Sequence, residues 1–210
     1  MEGDSSIAIR PMDRVSGPLG EMGADISLKD GRFPPIKIKP SALNAIEYKM
    51  PVASAQVKSA ILFAGLFADG ETIIHEEFKS RDHTEIMLEQ FGVDISVEGL
   101  TVKLQGNQSL KPRDVLVPGD ISSAAFLMVL AAITEGSDIL IEDVSLNETR
   151  SGIIDVFSQM NADIEVERTS TEGEAIGNVR VKHSESLSSY ELSGDIIPRL
   201  IDEIPVLAVL

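Results

Sequence analysis

Cysteine and tryptophan are both absent from this 210-residue chain. The lack of cysteine excludes disulfides and thiolate metal sites, and it is typical of a reducing compartment, so we expect a cytoplasmic protein. The three histidines are not spaced as metal ligands, and we expect neither a metal nor another cofactor. Met1 is followed by Glu2, Gly3 and Asp4, a start unlike that of a secretory signal peptide.

Basic residues are also scarce: 18 lysines and arginines stand against 34 acidic residues, a formal net charge of −16 at pH 7. A surface for nucleic acid or for an anionic membrane needs a basic footprint, so we expect neither partner. The longest apolar run, residues 124–133, is far shorter than the roughly 20 residues of a membrane-spanning helix. A small anionic ligand remains compatible with a local group of basic side chains.

A short motif recurs at a constant interval. The tetrapeptides GADI, GVDI and NADI begin at residues 23, 92 and 161, each 69 residues after the one before. A helical pattern precedes each motif, most clearly over residues 153–160, where the apolar positions follow the spacing of an amphipathic helix. Alternating strand patterns and a turn follow each motif. An arginine also stands near the start of each repeat, at Arg10, Arg81 and Arg150.

Two further segments, residues 54–68 and 122–134, contain long apolar runs, and the run at residues 60–68 has no polar face. This pattern predicts helices that are buried on all sides. Gly70 and Gly136 follow them, and glycine suits the left-handed conformation that ends many helices. Strand patterns come next in both cases, so the repeating unit contains a strand, a buried helix, a strand, an amphipathic helix and a hairpin.

This order predicts an α/β protein built from a duplicated βαβαββ unit. We expect a domain boundary close to Pro118–Gly119, where one unit ends. Residues 1–118 would then hold nearly two units of one domain. Residues 119–210 would hold one unit and the start of another. The apolar end of the chain, without a capping residue, predicts an internal fragment of a longer protein.

The segment that begins at Ser54 is the first candidate for a ligand site. Its polar residues, Ser54 and Gln56 among them, collect at the start of a helix, where unpaired N–H groups and the helix dipole favour an anion. The alternative is that Ser54 only caps the helix. His83 is interpreted as a surface residue of a first helical turn, and His75 as a structural residue of a strand.

Several stretches carry a resemblance that extends along the whole chain. They are GDSSIAIRPMDR (residues 3–14), VASAQVKSAILFAGL (52–66), SRDHTEIMLEQFG (80–92), VPGDISSAAF (117–126), NETRSGI (147–153) and IDEIP (201–205). In this order they resemble the middle of the 3-phosphoshikimate 1-carboxyvinyltransferase family, also called 5-enolpyruvylshikimate-3-phosphate synthase. The resemblance implies an inside-out α/β barrel fold of repeated βαβαββ units, incomplete in this chain.

The resemblance also implies an activity. The family transfers the enolpyruvyl group of phosphoenolpyruvate to the 5-hydroxyl of 3-phosphoshikimate, in the shikimate pathway of aromatic amino acid biosynthesis, and releases phosphate. Matching positions imply 3-phosphoshikimate contacts at Ser54, Ala55, Gln56, Ser80 and Arg81, a phosphoenolpyruvate contact at Arg10, and a catalytic role beside the reacting hydroxyl for Asp202.

Each of these assignments has an alternative. Arg10 could be a surface arginine, and Asp202 with Glu203 could be acids that stabilise a helix N-terminus. The family's other phosphoenolpyruvate motifs have no counterpart in this sequence. We therefore expect the chain alone to be inactive and to self-associate, and the full-length enzyme to be monomeric. Two other functions stay open: the related UDP-N-acetylglucosamine enolpyruvyl transferase, and a non-catalytic binding module of the same fold.

Overall fold

The computed structural model describes residues 1–170 and 172–210. Contacts between Cα atoms divide the chain into two units. Unit 1 contains Met1–Lys79 and Leu88–Arg113, and unit 2 contains Ser80–Met87 and Asp114–Leu210. The boundary expected at Pro118–Gly119 lies a few residues inside unit 2. The division into domains 1–118 and 119–210 stays a prediction, and it does not include Ser80–Met87 in the second part, whereas the contacts assign this segment to unit 2.

The helices are α1 (Ser5–Ala8), α2 (Asp13–Glu21), α3 (Ala55–Gly65), α4 (His83–Gln90), α5 (Ile121–Ile133), α6 (Gly152–Gln159), α7 (Ile197–Leu200) and α8 (Ile204–Leu207). The strands are β1 (Asp25–Lys29), β2 (Phe33–Lys39), β3 (Glu47–Lys49), β4 (Glu71–His75), β5 (Ile95–Glu98), β6 (Thr101–Gln105), β7 (Asp138–Ser145), β8 (Ile164–Ser170) and β9 (Ile176–Lys182). None of these helices combines the length and apolar character that a membrane crossing requires.

The sheets confirm the repeating unit. In unit 1 the strand order is β3-β4-β6-β5, with β3 parallel to β4 and the other pairs antiparallel. The chain order β3, α3, β4, α4, β5, β6 is therefore βαβαββ. In unit 2 the chain order α5, β7, α6, β8, β9 repeats this pattern from its first helix onward, and the strands form an antiparallel sheet of order β7-β9-β8. Its first strand is reduced to one parallel bridge between Gly119 and Val144.

The repeated tetrapeptide has one backbone function in all three copies. Gly23, Gly92 and Asn161 have φ angles of 98°, 81° and 58°, in the left-handed region. The amide of each following residue donates to the carbonyl five residues earlier, at 2.9–3.0 Å, which is the hydrogen bond of a Schellman helix end. Asparagine replaces glycine in the third copy because its short polar side chain tolerates this conformation.

Helices α3 and α5 correct one expectation, because neither is buried on all sides in the described residues. Helix α3 packs on β4, β6 and α2, and helix α5 packs on β7, β9 and α8. Their other faces leave Phe63, Phe126 and Leu130 more than half exposed. The sequence shows that a helix is apolar all round, but it does not show how many neighbours cover it.

An ion pair in the core of unit 1 was not foreseen. Lys58 of α3 lies opposite Glu76, just after β4, with 2.9 Å between Nζ and Oε2. Their side chains are only 1% and 3% exposed. Two charges are stable at such a place only while each compensates the other. The pair therefore holds α3 against the end of β4.

We expect Lys58→Met to lower the free energy of unfolding by about 3–5 kcal/mol, because it leaves the carboxylate of Glu76 buried without its partner cation. The double variant Lys58→Met, Glu76→Leu should recover most of this loss. Urea unfolding of all variants measures both effects.

Lys103→Met is the matched control, since Lys103 and Glu98 are also 2.9 Å apart but their side chains are 34% and 68% exposed. Its effect should be small because solvent screens exposed pairs. An equal loss of stability in Lys58→Met and Lys103→Met would contradict the assigned role of burial.

The exposed apolar face of α5, which includes Phe126 and Leu130, predicts that the isolated chain associates with itself. Exposed apolar patches promote association, so the isolated chain should sediment with an average mass that rises with concentration. Phe126→Glu with Leu130→Glu should reduce this rise. Leu140→Glu with Val166→Glu, which removes exposed apolar side chains from strands of the same unit, is the control. A parent chain that stays monomeric at all concentrations would show the prediction to be wrong.

Candidate functional site

The N-terminus of α3 is the candidate anion site of unit 1. Ser54 has an extended backbone, and its hydroxyl accepts a hydrogen bond from the amide of Val57 at 3.4 Å. Ala55 and Gln56 form the first turn. Ser54 therefore caps α3, which is the alternative that the sequence left open. This does not exclude a ligand, because a helix start leaves several amides without intrahelical partners.

A cavity of about 280 Å³ lies beside this helix start, lined by residues that include Arg14, Glu21, Tyr48, Met50 and Ser54. Burial and the charge of Glu21 raise the pKa of the Tyr48 phenol above its ordinary value. The phenol is therefore a neutral hydrogen-bonding group at physiological pH.

Gln56 has a partner that the sequence did not indicate. Arg14, in the first turn of α2, donates from Nη2 to Oε1 of Gln56 at 2.6 Å. Arginine has no acceptor, so this bond assigns the oxygen of the amide to Arg14 and leaves its NH2 group as a donor for a ligand. Arg10 is exposed beyond α1, and its guanidinium has no hydrogen bond or ion pair within the described part of the chain.

The predicted residues of unit 2 meet across a long sequence separation. Arg81 and Asp202 are 121 positions apart, yet Nη2 of Arg81 lies 2.5 Å from Oδ2 of Asp202. Ser80, the neighbour of Arg81, is buried. Asp202 lies in the turn between α7 and α8. The structure thus brings the predicted catalytic carboxylate to a predicted phosphate-binding arginine.

A second arginine contacts the same carboxylate. Nη1 of Arg150 is 3.7 Å from Oδ2 of Asp202. Its Nη2 donates to Asp120 Oδ1 at 2.9 Å and to Ser122 Oγ at 2.8 Å, at the start of α5. In the sequence, Arg150 is distinguished only as one of three arginines near the start of each repeat, and it was not predicted as a site residue. That repetition was the available signal, since Arg81 holds the corresponding place one repeat earlier.

The turn at residues 147–150 holds both arginines in place. Asn147 Oδ1 accepts from the amide of Thr149 at 2.8 Å, a local bond that shapes the turn. The side chains of Asn147 and Thr149 donate to Asp82 Oδ1 at 2.9 and 3.2 Å. Asp82 follows Arg81 directly, so one turn carries Arg150 and anchors the backbone next to Arg81.

The contacts of Glu203 test the alternative that the acids at 202 and 203 stabilise a helix N-terminus. It precedes α8 but makes no side-chain capping bond. Its side chain is buried and instead accepts a hydrogen bond from Ser122. The acids at 202 and 203 therefore bind side chains rather than the helix N-terminus. Both contacts attach the turn between α7 and α8 to other parts of unit 2.

The histidines have structural contacts. His75 lies in β4, as expected, and its ring bonds Glu47 and Thr101. His83 begins α4, with Nε2 3.3 Å from Glu174. No group of three histidine, aspartate or glutamate residues within residues 1–170 and 172–210 has the arrangement of a metal site.

Two carboxyl groups have lowered pKa values: that of Asp120, which pairs with Arg150, and that of Glu174, which contacts His83. Burial alone would raise the pKa of Asp120, but the hydrogen bonds from Arg150 and Ser123 outweigh burial and lower it. Burial likewise would raise the pKa of Glu174, and contacts with His83, Ser145 and Asn147 lower it. Both groups stay ionised to a lower pH than an ordinary carboxyl group.

The family model described as EPSP synthase (3-phosphoshikimate 1-carboxyvinyltransferase) matches residues 1–210. Curated relatives named 3-phosphoshikimate 1-carboxyvinyltransferase include those of Listeria innocua, 56% identical over 211 residues, and Geobacillus thermodenitrificans, 53% identical over 210 residues. Each match includes 99% of this chain but 49% and 48% of the relatives. The chain thus spans about half the length of the curated relatives it matches.

Solved structures agree with these matches. The EPSP synthase of Acinetobacter baumannii has a TM-score of 0.88 and 46% identity over 99% of this chain and 47% of its own. The enolpyruvyl transferase NikO of Streptomyces tendae has a TM-score of 0.77 over 96% of this chain and 49% of its own. At 16% identity, NikO supports the fold alone.

The lowered pKa values predict acid sensitivity in unit 2. A carboxyl group whose pKa is lower in the folded than in the unfolded state stabilises the fold above its ordinary pKa. This contribution disappears as pH falls through the lowered value. For Asp120 and Glu174, whose ordinary values are 3.8 and 4.5, urea midpoints should therefore fall below about pH 4.5.

Asp120→Asn keeps a capping side chain at α5 but removes the titrating group, so part of the decrease below pH 4.5 should vanish. Glu142→Gln, at an exposed position of β7, is the matched control and should leave the decrease unchanged. A parallel pH dependence in the parent chain and Asp120→Asn would contradict the assignment.

Proposed function

The chain belongs to the EPSP synthase (3-phosphoshikimate 1-carboxyvinyltransferase) family, and we propose that it forms about half of an enzyme that transfers the enolpyruvyl group of phosphoenolpyruvate to the 5-hydroxyl of 3-phosphoshikimate. Phosphate is the second product. The observation that carries the proposal is the pairing of Arg81 and Arg150 with Asp202 at positions that match the family's motifs. The reaction belongs to the shikimate pathway of aromatic amino acid and chorismate biosynthesis, and we place it in the cytoplasm.

The proposed reaction has two stages. The 5-hydroxyl oxygen bonds to the carbon of phosphoenolpyruvate that carries the phosphate, the neighbouring methylene gains a proton, and the hydroxyl loses one. The tetrahedral adduct then releases phosphate, and its new methyl group loses a proton to restore the double bond. A carboxylate within hydrogen-bond range of the hydroxyl can take its proton, and this is the role we assign to Asp202.

The remaining residues bind anions in this proposal. Arg81 provides a charged donor for the phosphate of 3-phosphoshikimate, and Ser80 a neighbouring hydroxyl. Ser54, the amide at Ala55 and the NH2 group of Gln56 provide neutral donors at the start of α3. Arg10, whose guanidinium has no partner in the described residues, is assigned to phosphoenolpyruvate.

The complete enzyme is proposed to act as a monomer on these two small molecules. The chain by itself spans about half of its relatives, so we propose that it binds 3-phosphoshikimate weakly and does not catalyse the reaction. A non-catalytic binding module is the second candidate, and the coverage of 48–49% of the relatives is the observation in its favour.

Titration calorimetry of the isolated chain with 3-phosphoshikimate tests the proposal. Arg81→Ala should weaken binding about tenfold or more, because losing a charge-assisted hydrogen bond costs on the order of 1.5–3 kcal/mol. His83→Ala should change the affinity little. A phosphate-release assay with both substrates should show no turnover by the isolated chain.

Arg180→Ala is the charge-matched control, since Arg180 is paired with Asp138 on the strands of unit 2. Its affinity should equal that of the parent. Equal binding by Arg81→Ala and the parent would refute the assigned phosphate contact. No binding by the parent would refute the proposal that the chain alone carries the 3-phosphoshikimate site.

A further inference from the structure

We propose that Arg150 is a positioning residue that compensates and orients the Asp202 carboxylate while Arg81 binds the phosphate of the ligand. The inference rests on the proposed function. Arg150 has no assigned substrate contact. Its role follows from the way three side chains share their hydrogen bonds and charges.

Asp202 presents one oxygen to two guanidinium groups. Arg81 lies 2.5 Å and Arg150 3.7 Å from the same Oδ2 atom. A phosphate that binds Arg81 competes with Asp202 for its N–H donors. Without another cation, binding would leave Asp202 uncompensated close to an incoming dianion. Arg150 supplies that second cation.

Arg150 is better placed for a fixed role than for a ligand contact. Its side chain is 19% exposed, compared with 32% for Arg81. Asp120 and Ser122 accept its Nη2 hydrogen bonds at the start of α5. The turn at residues 147–150 also binds Asp82 through Asn147 and Thr149. Arg150 is therefore held at both its guanidinium and its backbone, whereas Arg81 has the more accessible guanidinium.

Ser122 links Arg150 to the residue that follows Asp202. Its hydroxyl accepts a hydrogen bond from Arg150 and donates one to the side chain of Glu203. The turn that carries Asp202 is thus attached by its carboxylate to Arg150 and, one residue later, through Ser122 to the start of α5. Movement of Arg81 toward a phosphate leaves both attachments in place.

The local charge balance gives the expected direction of the effect. The groups around Asp202 are the cations Arg81 and Arg150 and the carboxylates of Asp120 and Glu203. Loss of Arg150 leaves three carboxylates with one cation. Asp202 then competes more strongly for Arg81, and the negative charges repel the phosphate. Affinity for 3-phosphoshikimate should fall although Arg150 does not touch it.

The test combines Arg150 variants with Asp202→Asn in calorimetry with 3-phosphoshikimate. Arg150→Met should weaken binding about tenfold, a change typical of one charge-assisted contact, and Arg150→Lys should recover part of it. In the Asp202→Asn background, Arg150→Met should have little further effect, because the carboxylate through which it acts is gone. Additive effects, or unchanged affinity in Arg150→Met, would overturn the inference.

Arg180→Met is the matched control. Arg180 is a partly exposed arginine of unit 2 that pairs with Asp138 at 2.6 Å and has no contact with the turn at residues 147–150 among the described hydrogen bonds and ion pairs. Its loss should leave the affinity unchanged. Urea unfolding of all variants shows whether a change in binding follows a change in stability, as a purely structural role of Arg150 would require.

Carboxyl 13C NMR of the ligand-free chain separates this inference from the proposed function. The Asp202 resonance should move in Arg150→Met and stay in place in Arg180→Met. An unmoved resonance would overturn the inference even where 3-phosphoshikimate binds. Absence of 3-phosphoshikimate binding by the parent would count against the proposed function, while a moved resonance would still support the coupling between Arg150 and Asp202.

Discussion

The ion pair between Arg150 and the carboxylates of Asp120 and Asp202 is the interaction on which the candidate site of unit 2 depends. It connects the start of α5 with the turn before α8, segments that are far apart in sequence. Isolated exposed pairs contribute little to stability, but this one is partly buried and shares its donors with Ser122. Its importance lies in geometry, because it brings a carboxylate and a second arginine to fixed places.

The same principle operates with different groups in unit 1. Lys58 and Glu76 form a buried ion pair between α3 and the end of β4. Helix α3 carries Ser54 just before its first turn, so its position determines where the free amides of that turn lie. Arg14 then orients the amide of Gln56. In both units a charged side chain without a proposed ligand contact bonds a group to which a role at the ligand is assigned.

An overall charge of −16 opposes the proposed binding of phosphorylated substrates. The structure reconciles the two, because a bound anion interacts mainly with the charged groups nearest to it. Arg81 and Arg150 lie together in unit 2. Within unit 1, separately, the first turn of α3 presents amides that carry partial positive charge. Most acidic residues are solvent-exposed, where salt screens their charge over about 10 Å.

The sequence by itself determined the repeat, the order of helices and strands within the repeating unit, and the family. These features depend on local chemistry: the residue at 23, 92 and 161 must tolerate a left-handed backbone, and alternating apolar residues must form half-buried strands. The resemblance also indicated Arg81 and Asp202, but only the tertiary structure showed that they contact each other. The partners of Lys58, Gln56 and Arg150, and the exposed faces of α3 and α5, were likewise decided by the fold. Pairing and burial depend on which distant segments meet, and no local pattern in the chain encodes that.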